Sequence, residues 1–86
     1  MKIKGAIVKE QGVKFAIVNV QRSILQSRQE QKKICQKFDP LFGGIPVVFM
    51  SQDSKGIATY VGRKDIVDFL SNVDSRRINW REFTSG

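Results

Sequence analysis

Apolar and polar residues alternate along the first twenty positions and then change period, and this change divides the chain into elements. Ile3 to Lys9 and Val13 to Val20 are two strand-like runs joined by Glu10-Gln11-Gly12, a polar connection whose glycine suits a hairpin. In the second run, Phe15-Ala16-Ile17-Val18 is apolar on both alternating faces. That is the pattern of a central strand covered on both sides. The first run carries Lys2, Lys4 and Lys9 and is the better edge candidate, because lysines on an edge discourage unwanted pairing.

Beyond Val20 the period becomes helical. Ser23 to Gln26 and Ser27 to Glu30 both have capping-box spacing, so a helix is expected to start at one of the two serines. Ile34, Cys35, Phe38, Leu41 and Phe42 supply its apolar positions, and Asp39-Pro40 predicts an exit near Phe38, reinforced by Gly43-Gly44. The pattern then repeats. Val47 to Met50 is continuously apolar, Gln52 to Gly56 is a turn cluster, and Ile57 to Val61 is a second strand. A last helix has Asp65 in its first turn, where a carboxylate meets the positive end of the helix dipole. Its apolar stripe is Ile66, Val67, Phe69, Leu70 and Val73.

The remainder, 74–86, is too short and too charged for a core of its own, so Ile78, Trp80 and Phe83 are expected to dock it on the body. The expectation is one domain, 1–86, of the α/β class: a small mixed four-stranded sheet with two helices, in the order ββαββα, followed by a basic aromatic tail. An α+β arrangement, with both hairpins in one antiparallel sheet, fits the same order. Phe15, Ile17, Val47, Phe49, Phe69 and Leu70 are expected to be buried together.

The stretch Gly44-Ile45-Pro46-Val47-Val48-Phe49-Met50, with its turn, the run Ile57 to Gly62 and the amphipathic segment to Val73, resembles the second half of a thioredoxin or glutaredoxin domain. In that family a proline opens a buried strand, a hairpin returns to a strand ending in glycine, and a final helix covers the sheet. The resemblance implies a reduced thioredoxin-like scaffold. It implies a cis bond at Ile45-Pro46 beside backbone that pairs with an extended peptide, although a trans proline opening a strand fits the residues equally. It also implies that Gly62-Arg63-Lys64-Asp65 occupies the junction that holds the glutathione carboxylate in glutaredoxins. The family's chemistry is missing: there is one cysteine and no C-x-x-C pair. Cys35 falls inside a helix, unlike the cysteine of single-cysteine glutaredoxins, so no catalytic role carries over.

Composition narrows the function classes. With 86 residues, 41% of them hydrophobic, the chain has room for one small core. The absence of histidine excludes Ser-His and Cys-His nucleophiles, and with a single thiol it removes the usual zinc and iron–sulfur ligand sets. There is no Walker-type loop. No enzyme, cofactor or metal is expected. No segment approaches the ~18–20 apolar residues of a membrane span, and Met1-Lys2-Ile3-Lys4 lacks a secretory apolar run, so a soluble cytoplasmic protein is expected.

The 15 Lys and Arg residues outnumber the 8 Asp and Glu, giving a net charge of +7. This excess raises encounter rates with nucleic acid, anionic lipid or an acidic protein without selecting among them. The leading expectation is a non-catalytic binding protein that recognises another protein through a sheet edge or through its basic helix and tail. A basic nucleic-acid-binding module is one alternative, and a thioredoxin-like redox or thiol-binding protein is another. The candidate partner-binding residues are Pro46 at the strand opening, Arg63 and Lys64 at a helix start, and Arg76, Arg77, Trp80 and Arg81 in the tail. An aromatic and arginine mixture suits a protein interface as well as base stacking.

Overall fold

The hairpin expected at the head of the chain forms in the computed structural model, which describes residues 1–10 and 12–85. Strand β1 (Lys2–Glu10) pairs antiparallel with β2 (Val13–Asn19), from Lys4↔Asn19 to Glu10↔Val13. A 3₁₀ turn (Arg22–Gln26) and helix α1 (Arg28–Phe42) then carry the chain across the sheet, so that β3 (Val47–Gln52) lies parallel to β2. Strand β4 (Ala58–Val61) returns antiparallel to β3. The parallel β2–β3 pair excludes the all-antiparallel alternative. The sheet is mixed, in the order β4-β3-β2-β1-β5.

Among the described residues five strands are present where four were expected. After helix α2 (Lys64–Leu70) and a second 3₁₀ turn (Ser75–Arg77), the tail forms β5 (Arg81–Thr84), antiparallel to β1 from Gly5↔Arg81 to Lys2↔Thr84. Arg81-Glu82-Phe83-Thr84 carries one apolar residue, too little to announce a strand by alternation. What fixes it is tertiary: Phe83 packs edge-on against Phe42 of α1, with ring centroids 5.6 Å apart. The first strand is therefore an edge only beyond Gly5.

Helix α1 begins at the second of the two serines. Ser27 Oγ accepts the Glu30 N–H at 3.2 Å, whereas Ser23 lies in the preceding 3₁₀ turn. The helix does not exit near Phe38 but continues through Asp39 and Pro40 to Phe42, where Gly43 closes it with a φ of 66° and donates its N–H to the Asp39 carbonyl. A proline this late in a helix forfeits one hydrogen bond. The extra turn offsets that loss by burying Phe42, which stacks on Phe38 at 5.9 Å and meets Phe83.

The sheet divides the core in two. On one face Ile3, Ala16, Val18 and Phe49 pack under Ile34, Phe38 and Phe42 of α1. On the other, Phe15, Ile17, Val48 and Met50 pack under Ile66 and Leu70 of α2. The expected single cluster is thus corrected: Phe15, Ile17 and Leu70 are buried on the α2 face and Phe49 on the α1 face, while Val47 and Phe69 are only half-buried against the α1-face and α2-face clusters respectively. Side chains of a strand alternate between faces, so a central strand feeds both cores.

Candidate interaction surface

Main-chain bonding along β1 identifies where the sheet is open. In an antiparallel ladder, residues alternate between exchanging hydrogen bonds with one neighbour and presenting those groups to the other side. Met1 and Ser85 exchange both bonds, at 2.9 and 3.1 Å, which directs odd-numbered β1 residues toward β5. From the other side, the Ala16 N–H donates to the Pro46 carbonyl at 2.9 Å, so the Ile7↔Ala16 pair exchanges no bonds. Both observations give one parity. Ile3 and Gly5 bond to β5, while Ile7 and Lys9 direct their N–H and C=O groups beyond the point where β5 ends.

The chain that would cover this edge turns away. Ile78-Asn79-Trp80 stands where β5 would continue, but the Trp80 N–H bonds back to the Ile78 carbonyl at 3.0 Å, and the indole N–H reaches the Ser75 carbonyl at 3.1 Å. Trp80 packs on the α2 face, with the Lys4 ammonium 5.9 Å from its ring centre. Between the diverted segment and α2 lies a groove of about 360 Å³, whose apolar lining includes Val8, Phe69, Leu70, Val73 and Ile78. Glu10, Arg77 and Asn79 line it as well. On the opposite face of the same strand segment Ile7 is 39% exposed.

The residues singled out by sequence fall into separate places. Arg77 lines the groove, Trp80 anchors the diverted segment, and Arg81 is the last β5 residue to pair before the open stretch, with its guanidinium over Phe83 at 5.8 Å. These three stand around the β1 edge. Arg76 is turned onto Asp74, with Nη2 2.9 Å from Oδ2, and this pairing lowers the Asp74 carboxyl to about 2. Pro46, Arg63 and Lys64 belong to the opposite side of the sheet, where β3 starts and β4 ends. The Pro46 carbonyl is occupied by Ala16, and the Ile45–Pro46 bond is trans. Arg63 makes a two-pronged pair with Asp65, both distances 2.7 Å, which holds that carboxyl below its usual range. Lys64 is exposed.

Among the described residues, carboxylates pair with Lys2, Lys33, Arg63 and Arg76. Lys9 and Arg77, at the open edge and its groove, make no such pair among the described residues, although the Arg77 charge also helps lower the Asp74 carboxyl. Sequence reasoning named the lysine-bearing first run as an edge but missed the groove residues Phe69, Val73 and Ile78, whose spacing signals only burial. Cys35 is half-buried on α1, and burial, with the Asp39 carboxylate beside it, pushes its thiol above the ordinary value. Among the described residues, no group of three or more potential metal ligands comes together, and no helix is long and apolar enough to cross a membrane. In comparisons with known proteins, no family model, curated protein or solved structure matches the chain.

Proposed function

We propose that this chain is a small binding module that captures an extended segment of another protein along the open half of β1. The observation that carries this reading is the juxtaposition of outward main-chain groups on Ile7 and Lys9 with the apolar groove under Val8. An added strand would take its affinity from the backbone groups and its selectivity from side chains seated in the groove. Lys9, Arg77 and the net charge of +7 outweigh the single carboxylate of Glu10 at the groove and favour a segment that alternates apolar with acidic residues.

A nucleic-acid module is the second reading, favoured by Arg28, Lys32 and Lys37 on the exposed side of α1, which have no carboxylate partner among the described residues. It ranks lower because stacking needs free rings. Phe15, Phe38, Phe42 and Phe49 are buried, and Trp80 is half-buried against the α2-face core. A thiol-based reading ranks third, since the raised Cys35 pKa disfavours the thiolate.

The test is a residue-resolved NMR titration with a capped octapeptide alternating valine and glutamate, beside a generic DNA duplex. The peptide should shift Ile7 to Glu10, Phe69 and Ile78, with affinity falling as salt rises. Ile7→Pro deletes only an outward N–H and should abolish binding while leaving the β1–β2 ladder intact. Peptide shifts confined to other surfaces, or binding unchanged in Ile7→Pro, would reject the proposal. Tight duplex binding centred on α1 would promote the second reading.

A further inference from the structure

The opposite border of the sheet carries a second open edge of different chemistry. The β3–β4 hairpin is closed by the Asp53 N–H on the Ile57 carbonyl at 3.0 Å, and the Met50 carbonyl is occupied from the β2 side by the Val20 N–H at 2.8 Å. Thr59 and Val61 therefore bond to β3, and Ala58 and Tyr60 direct their N–H and C=O groups outward. Among the described residues, no main-chain bond reaches them on that side. Between Gly56 and Gly62 the sequence is Ile57-Ala58-Thr59-Tyr60-Val61, with no lysine, arginine, carboxylate or proline. Edges are ordinarily protected by such residues or by bulges. The open half of β1 carries Lys9 and Glu10; β4 carries nothing comparable. Ile57 beside it is 62% exposed, more than any other large hydrophobic residue described.

We infer that β4 pairs antiparallel with β4 of a second copy about a two-fold axis at Thr59, joining two five-stranded sheets into one. In this register Ala58 and Tyr60 of each copy exchange main-chain bonds with Tyr60 and Ala58 of the other. Thr59 faces its counterpart in a pair without main-chain bonds, with Cβ atoms roughly 4.5–5.5 Å apart. Ile57 comes to lie beside Val61 of the second copy on the face where it is now exposed. The occupant is a second copy because the strip is self-complementary and is the uncharged part of a cationic surface. Two chains of like charge can meet there without placing cations opposite one another inside the strip. Lys55 in the hairpin turn flanks the strip, and each chain carries a net charge of +7 overall, Arg63 being paired with Asp65. Association should therefore tighten with salt, whereas strand capture at β1 should weaken with it, so the two proposals fail separately.

The test is sedimentation equilibrium of the full chain over a range of concentrations, at low salt and at about 1 M salt, where charge repulsion is screened beyond ~3 Å. The parent mass should rise toward twice the monomer mass, more so at high salt. Thr59→Lys places two ammonium groups at the axis on an exposed side chain, and should remain monomeric with unchanged melting. In a Cys35→Ser background, Thr59→Cys should form a disulfide-linked dimer under mild oxidation much faster than the exposed control Ser71→Cys. A parent that stays monomeric, with Thr59→Cys linking no faster than the control, would overturn the inference. So would a dimer that Thr59→Lys leaves intact.

Discussion

Along β1 the same backbone, facing the same partner β2, is closed on its second side from Lys2 to Gly5 and open from Ala6 to Glu10. Nothing in the strand's own alternation separates the halves. The closed half contains Gly5, where a Cβ would stand 2.6 Å from the Ile17 carbonyl oxygen of β2, so glycine permits the close approach of β1 to β2, while the Phe83 ring at 3.5 Å is in ordinary contact. On the tail side, Phe83 locks β5 in place against Phe42. The open half exists because Trp80, tied to Ser75 and packed on the α2 face, draws residues 78–80 beneath the sheet. Whether a strand edge is free is thus decided by the anchors of its neighbour.

The bluntest way to erase the contrast is to remove what both halves rest on. Phe38 of α1 is fully buried against the sheet, and Phe38→Ala should cost about 3–5 kcal/mol, comparable with the whole stability of a domain this small. Thermal melting should show a largely unfolded chain, and a melt within a few degrees of the parent would refute the core assignment. Phe83→Ala is gentler and more selective. Losing this half-buried ring should cost about 1–3 kcal/mol and free β5 while the remaining sheet persists. The amides of Ile3 and Gly5 should then exchange as readily as that of Ile7.

A smaller effect acts on the anchor of the open half. Asp74 accepts the Arg76 N–H at 3.0 Å together with its side chain, and its pKa falls from 3.8 to about 2. A carboxyl depressed in the folded state stabilises above its unfolded value and loses that contribution as pH falls through the folded one. Between pH 3.8 and about 2 the 3₁₀ turn should loosen and release the indole from Ser75. Emission of the single tryptophan should change over that window, and the change should be absent in Asp74→Asn. Identical titrations of the two proteins would contradict the assignment.

Much of this architecture was legible in the sequence. The double-sided apolar run at Phe15 to Val18 marked a central strand, and the second hairpin and both helices followed from period and turn residues. The helix end was misread because Pro40 signals an exit locally, while burial of Phe42 among Phe38 and Phe83 is a tertiary gain. The fifth strand was illegible for a related reason: Arg81 to Thr84 has one apolar residue, and its partner ring lies some forty residues away. For the candidate site, Lys2, Lys4 and Lys9 suggested an edge on the first strand, but β5 covers Lys2 and Lys4 and only Lys9 stands on the open part, near Arg77, Trp80 and Arg81. Which part of that edge is free depends on where the tail departs, and neither strand records that alone.

The most direct test of the account compares amides of one parity on one strand. Residue-resolved hydrogen exchange of the free chain, at concentrations where it is monomeric, should find Ile3 and Gly5 protected by their bonds to β5 and Ile7 and Lys9 exchanging rapidly, with the latter two becoming protected when the valine–glutamate peptide is added. Protection of Ile7 and Lys9 equal to that of Ile3 and Gly5 in the free chain would mean that the edge is already filled, and the proposed strand capture would have no place to occur.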